Sequence, residues 1–202
     1  EAAVRFFAEE GYMSESVIEY LMTIAASDFE DWRRANPDKS YKDFKFNLKK
    51  MSVSGALFDG VKLLDVSKNL VSRLSSVEVY DFVTAWAKEF DGEIISADSM
   101  QIYSELTIGT AKPTEKEMQG VSHHLVGHKS IDDEYSVVDY VDEAKKIIEE
   151  ISLRGKIPVL CGGTGLYVDS LLSNTEFSEI KSDPEVRKNL YDFAKNYGND
   201  AL

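Results

Sequence analysis

Cysteine is nearly absent from this chain. Cys161 stands alone among 202 residues, so no internal disulfide is possible, and a lone thiol suits a reducing compartment, expected to be the cytoplasm. One cysteine and three histidines argue against a zinc site. No apolar run approaches the roughly eighteen residues of a membrane-spanning helix, and no signal-peptide pattern is visible. Basic charge is also in short supply: 23 Lys and Arg face 36 Asp and Glu, a net charge of −13. Residues 1–90 carry −3 of this and residues 91–202 carry −10. A nucleic-acid binder usually shows a basic face, and this chain does not advertise one. A further absence concerns phosphate. No Gly-x-x-x-x-Gly-Lys-Ser/Thr loop occurs anywhere in the sequence, so the usual backbone cradle for phosphates is missing.

What is present supports a packed core, with 43% hydrophobic residues, in one or two domains. Residues 1–90 read as mostly helical. Helices are predicted over Ala2 to Glu10, Ser14 to about Ser27, Asp59 to Ser72 and Ser76 to Glu89. Gly11 ends the first, Ser14-Glu15-Ser16 can cap the second, and Ser75-Ser76-Val77-Glu78 has the form of a capping box. Val17, Tyr20, Leu21 and Ile24 share one face of the second helix. Phe44 to Leu48 alternates like a brief strand. The style changes near Trp86–Asp91. Strand-like runs at Glu93–Ser96, His124–Val126 and Ile157–Cys161 then alternate with helices at Val137–Arg154, Thr164–Leu172 and Asp183–Asn196. In the first of these helices Val138, Val141, Ala144, Ile147, Ile148 and Ile151 form a stripe. Such alternation predicts parallel βαβ units. With about three strands, the sheet is expected to have exposed edges and poorly covered faces, as part of a larger domain.

Two strand ends carry the chemistry. Ser96-Ala97-Asp98-Ser99-Met100-Gln101 follows Glu93-Ile94-Ile95, and Cys161-Gly162-Gly163-Thr164-Gly165-Leu166-Tyr167 follows the last strand. Small, polar and glycine-rich turns at the carboxyl ends of strands are how an open α/β sheet builds a nucleotide crevice. On spacing alone Asp98 could cap a following helix, and Gly162-Gly163-Thr164 could be a strand-to-helix turn with Thr164 as N-cap. His123 and His124 read as strand-end or backbone-bonding histidines, Cys161 as a small buried filler, and Trp32 and Trp86 as helix packing. Asp132, Asp133 and Glu134 read as a solvated loop, with no metal site.

These motifs, with Ile108-Gly109-Thr110-Ala111-Lys112-Pro113-Thr114, His123-His124-Leu125 and Arg154-Gly155-Lys156-Ile157-Pro158, resemble the tRNA dimethylallyltransferase family over about residues 88–202. The resemblance implies a fold similar to P-loop nucleotide kinases, and transfer of a dimethylallyl group from its diphosphate to N6 of adenosine 37 in tRNA. It implies Asp98 as general base, Ser99, Met100 and Gln101 lining the pocket of the flipped base, and Thr164 donating to the leaving diphosphate beside Gly162 and Gly163. The implied partners are tRNA and dimethylallyl diphosphate, and the implied cofactor is Mg²⁺. The family's strand, P-loop and helix belong ahead of Gly92, where this chain has other sequence, so activity is expected to be lost.

Residues 1–90 carry a second resemblance. Glu1-Ala2-Ala3-Val4-Arg5-Phe6-Phe7, Glu10-Gly11-Tyr12-Met13-Ser14-Glu15-Ser16-Val17, Ser54-Gly55-Ala56-Leu57-Phe58-Asp59 and Val66-Ser67-Lys68-Asn69 are similar to the helical region after the catalytic core of glutamyl-tRNA synthetase. Lys50-Met51-Ser52-Val53-Ser54 resembles the ATP loop of class I synthetases but is out of order for it, and is read as a structural turn. The segment Trp86–Glu93 fits both resemblances, which implies a chimera of two genes. The fold class expected is therefore α/β: a mostly α-helical, synthetase-like segment at 1–90 joined to a partial P-loop-kinase-like parallel unit at 91–202. A synthetase fragment serving tRNA aminoacylation, or a noncatalytic tRNA-binding module, are the alternatives.

Overall fold

A computed structural model of the chain describes residues 4–51, 57–173 and 184–198. Helices α1 (Val4–Glu9), α2 (Ser14–Ala25), α3 (Phe29–Ala35), α4 (Gly60–Val71) and α5 (Ser76–Glu89) come first. Strand β1 (Gly92–Ser96), strand β2 (His123–His124), helix α6 (Val137–Leu153), strand β3 (Ile157–Cys161), helix α7 (Gly165–Leu172) and helix α8 (Pro184–Tyr197) follow. The expected order, helices and then parallel βαβ, is what the chain adopts. No helix among the described residues is long and apolar enough to cross a membrane.

The sheet has the order β2-β1-β3 and is parallel throughout. β1 is central, and every one of its residues is buried. Its alternating side chains feed two cores. Ile94 packs with Ala87 of α5, Val121 and the partly buried Trp86 and Val159. Ile95 packs with Tyr140, Val141, Ala144 and Ile151 of α6 and with Tyr167 and Leu171 of α7. Helix α5 covers one face of β1 and α6 the other, so the expectation of poorly covered faces is corrected for the central strand, while no residue of β2 or β3 is buried. Each fully buried Ile, Leu or Val in these two cores contributes roughly 1.5–3 kcal/mol.

Several local readings shift for identifiable reasons. The N-cap position of α2 is Met13, without a side-chain bond, and the Ser16 hydroxyl donates to the Met13 carbonyl at 2.7 Å. The inward face of α2 is Ser16, Glu19 and Tyr20, while Leu21 is exposed. The helix turns this way because buried Glu19 accepts from Arg33 at 2.6 Å and from Arg73 at 3.1 Å. Phe44–Leu48 forms no strand; the Phe44 ring instead sits edge-on to Phe29 and Trp32, at 5.1 and 5.4 Å between centroids. Helix α3, absent from the sequence reading, is pinned there through Phe29. β2 is His123–His124 rather than His124–Val126, because Leu125 takes a left-handed φ of 59° and ends it. In α6, Val138 faces outward and Tyr140 takes an inward place.

The capping box at Ser75 and the packing roles of the two tryptophans stand as expected. Ser75 and Glu78 form a reciprocal capping box at α5. Trp32 packs on Phe44, and Trp86 donates its indole N–H to the Ala8 carbonyl at 2.6 Å. In the Lys50–Ser54 run, Lys50 pairs with Asp28 at 2.9 Å and Met51 bridges Ala26. Ser52–Ser54 lie outside the described residues, as do Ala2 and Asp183, the expected starts of two helices.

Candidate active site

The two motif turns leave adjacent strands at the same level, since Ser96 of β1 is in register with Cys161 of β3. They are then stitched together. Ala97 N–H donates to the Cys161 carbonyl at 2.9 Å, and Thr164 N–H donates to the Ala97 carbonyl at 2.9 Å. This contact is close enough to require glycine at 162. A Cβ there would stand 2.3 Å from the carbonyl carbon of Ala97 and 2.4 Å from its oxygen.

Asp98 divides its carboxylate. Oδ1 accepts from the backbone N–H of Met100 at 2.9 Å and of Gln101 at 3.3 Å. Residues 99–102 are a turn with no helix after them, so Asp98 anchors an Asx-type turn rather than a helix N-cap. Oδ2 faces the second motif, 3.7 Å from where a Cβ on Gly163 would be. Asp98 is half-buried, so that oxygen is held yet reachable.

Thr164 occupies the N-cap position of α7, but its side chain does not cap the helix. Its Oγ1 accepts from Ser99 N–H at 2.9 Å and donates to Ser99 Oγ at 3.1 Å. The hydroxyl therefore joins the two turns, and donating to a diphosphate requires it to release Ser99. Gln101 is fully engaged. Its Oε1 accepts from Ser96 Oγ at 3.1 Å, and its Nε2 donates to the carbonyls of Thr110 and Ala111 at 3.3 and 3.2 Å. The Ile108–Thr114 motif is thereby bolted to the end of β1. Met100 is half exposed beside it.

The sequence reading assigned no role to Lys112 or Tyr167. Lys112 Nζ donates to the carbonyls of Tyr103 and Ser104, latching the same loop from its far side. Ala111 next to it holds a left-handed φ of 49°. Tyr167 stacks on Tyr140 with centroids 4.1 Å apart, fixing the first turn of α7. Burial raises the Tyr167 phenol above its ordinary value, and the charges of nearby groups, Asp98 among them, add to the effect. Both residues lay inside quoted motifs, but their partners are distant in sequence or are backbone carbonyls.

Other flagged residues stand apart from this site. His123 Nδ1 bonds the Val121 carbonyl at 2.9 Å, which makes Nε2 the acceptor for the Tyr80 hydroxyl at 2.9 Å. Burial lowers the His123 pKa, consistent with a neutral ring. His124 reaches Glu93 at 2.7 Å. Burial raises the Cys161 thiol, which is partly packed in the core on the α5 face. Asp133 accepts from Ser130 N–H at 2.8 Å and closes a surface turn. A cavity of about 1010 Å³ lies between α1, α2 and α5, and its lining includes no residue of the two strand-end turns.

The pattern of strand-end turns has close counterparts. The sequence model of the IPP transferase family matches residues 101–202. The chain belongs to that family. The tRNA dimethylallyltransferase of Thermoanaerobacter sp. strain X514 is 47% identical over 116 residues, 57% of this chain and 37% of that protein. The corresponding protein of Acetivibrio thermocellus is 51% identical over 116 residues with the same coverage. Among solved structures, the full-length tRNA isopentenylpyrophosphate transferase of Bacillus halodurans superposes with a TM-score of 0.51 at 42% identity, over 63% of this chain and 42% of that one. The chain thus spans well under half the length of these relatives.

Proposed function

We propose that residues 91–202 carry the acceptor side of a tRNA dimethylallyltransferase site. The observation that carries this reading is the contact between the two motif turns, Ser99 N–H on Thr164 Oγ1 at 2.9 Å, with Asp98 Oδ2 turned into the gap between them. In the proposed reaction N6 of the target adenine attacks C1 of dimethylallyl diphosphate. The C–N bond forms as the C–O bond to diphosphate breaks, and Asp98 Oδ2 takes the N6 proton. Holding Oδ1 in two backbone hydrogen bonds aims Oδ2 and leaves it as the basic oxygen. Ser99, Met100 and Gln101 face the base, and Gln101, by gripping the Thr110–Ala111 carbonyls, sets the width of that slot. Gly162, Gly163, Thr164 and the uncapped start of α7 lie toward the diphosphate.

Mg²⁺ would take most of its oxygen ligands from the diphosphate and water, and when bound it would neutralise charge on the leaving group. Among the described residues no three His, Cys, Asp or Glu side chains converge as a metal site. Asp98 is the carboxylate of the hydrogen-bonded set and serves as base. No P-loop lies among the residues ahead of Gly92, so the diphosphate lacks its main electrostatic support. A tRNA-transfer assay on this chain alone is expected to stay at background.

The decisive test grafts residues 88–202 into the Thermoanaerobacter relative in place of its matching segment. Transfer to unmodified tRNA is expected, and Asp98→Ala in the graft is expected to lower turnover by about 10²–10⁴-fold. Equal turnover with and without Asp98 would remove the proposed base.

The first half supports a second proposal. The family model leaves residues 1–100 unmatched, and α2, α3 and α4 each contribute buried residues, Tyr20, Phe29, Leu63 and Leu70 among them. We propose that residues 1–90 are a glutamyl-tRNA synthetase-like helical segment joined near Trp86–Glu93 to the transferase segment. A continuous long read across those codons in source DNA supports a genuine fusion, and its absence an assembly artefact.

A further inference from the structure

The chain is acidic, yet residues 39–50 reverse the sign. Lys39, Lys42, Lys45, Lys49 and Lys50 stand there against Asp43 alone, a local net of +4 in a chain of −13. The segment runs over the surface between α3 and α4 through short 3-10 turns at Tyr41–Asp43 and Leu48–Lys50. All five lysines are exposed. Lys50 is paired with Asp28. Among the described residues the other four have no carboxylate partner. Uncompensated like charges brought this close raise the local potential and attract a polyanion.

Aromatic residues are interleaved with them on a rigid base. Phe44 is wedged against Phe29 and Trp32, and the Phe46 ring stands 6.3 Å from Phe44 at 86°. Phe46 is 44% exposed, so one aromatic surface is offered to solvent from a fixed root. Lys42 Nζ lies 5.8 Å from the Tyr41 ring centroid, which orders one of the cations beside it. Lysines that track a phosphodiester backbone, with an aromatic face for a base, are the two parts of a single-strand binding surface. An anionic bilayer would want a continuous apolar face, and here lysines interrupt the apolar residues.

We propose that residues 39–50 dock single-stranded nucleic acid, with Lys39, Lys42, Lys45 and Lys49 on phosphates and Phe46 beneath a base. The surface lies on the helical half, and its use does not depend on dimethylallyl transfer. The test uses the full 202-residue chain and a fluorescent oligouridylate, which contains no adenosine, read by anisotropy over rising potassium chloride. The parent is expected to bind and to weaken steeply with salt. The quadruple variant Lys39→Ala, Lys42→Ala, Lys45→Ala, Lys49→Ala is expected to lose at least about tenfold in affinity and to flatten the log–log salt slope by about 3. Phe46→Ala is expected to weaken binding by about fivefold or more with the slope unchanged, and Phe46→Tyr to restore it. A charge-matched control, Lys116→Ala, Lys146→Ala, Lys188→Ala with Lys195→Ala, is expected to bind as the parent, and unchanged melting curves establish that each variant is folded. The proposal fails if the parent ignores oligouridylate, if the quadruple variant binds as the parent does, or if phosphatidylserine vesicles capture the chain while oligouridylate does not.

Discussion

At the scale of single residues, the site depends on one missing methyl group. Gly162 lies against the backbone of Ala97, and a Cβ would fall 2.3–2.7 Å from three of its atoms. Backbone has no flexible end to swing aside, so strands β1 and β3 must part for any side chain to enter. Gly162→Ala is expected to destabilise the chain by about 1–3 kcal/mol, read as a lower denaturation midpoint. The same change should break the Ser99–Thr164 contact in the grafted enzyme. Asp98 shows how a residue can satisfy a plain structural reading and a chemical one together. Oδ1 builds the turn, and building it is what orients Oδ2.

At the scale of elements, α6 sets the position of much else. It covers one sheet face with Tyr140, Val141, Ala144 and Ile151, and Tyr140 in turn supports Tyr167 of α7. Its start is closed by a capping box: Asp139 N–H donates to Ser136 Oγ, and Asp139 Oδ2 accepts from Ser136 N–H at 2.8 Å. That bonding from Ser136 holds the Asp139 carboxyl below its ordinary value. Ser136→Ala leaves a first-turn N–H without a partner, and is expected to cost about 1 kcal/mol, with a range of 0.5–2. A denaturant titration measures this, and Ser136→Asp, which keeps an acceptor at the cap, is expected to recover most of it.

At the scale of the whole molecule, a buried charge cluster ties the sheet to its crossover. Glu93, 1% exposed on β1, accepts from Arg154 at 2.9 and 2.8 Å, from His124 at 2.7 Å and from Lys156 at 3.2 Å. Burial by itself raises the Glu93 carboxyl, but hydrogen bonds from Arg154, His124 and Lys156 together outweigh it and bring the pKa from 4.5 to about 2. A depressed carboxyl contributes stability that is complete above its unfolded value and lost as pH falls through its folded one. The difference corresponds to something on the order of 3 kcal/mol, lost between about pH 4.5 and 2. Glu93→Gln is expected to be less stable than the parent at pH 7, with the gap closing as acid is added. A gap that stays constant down to pH 2 would show that the charge is not what stabilises the sheet.

The sequence by itself determined the order of elements, the parallel connection, the capping box at Ser75–Glu78 and the two motif turns, because each rests on local spacing or a short pattern. It also carried the family resemblance that the IPP transferase match bears out. Only the tertiary structure decided what those turns do to one another. Ser99 and Thr164 are far apart in sequence and meet only because β1 and β3 are neighbours in register. The face that α2 buries, the ordering of Phe44 on Phe29 and Trp32 instead of in a strand, and the latching of Lys112 onto two carbonyls were decided in the same way. In each case a distant partner outweighs local preference: a buried Glu19 needs Arg33 and Arg73, and no periodicity within α2 can announce that.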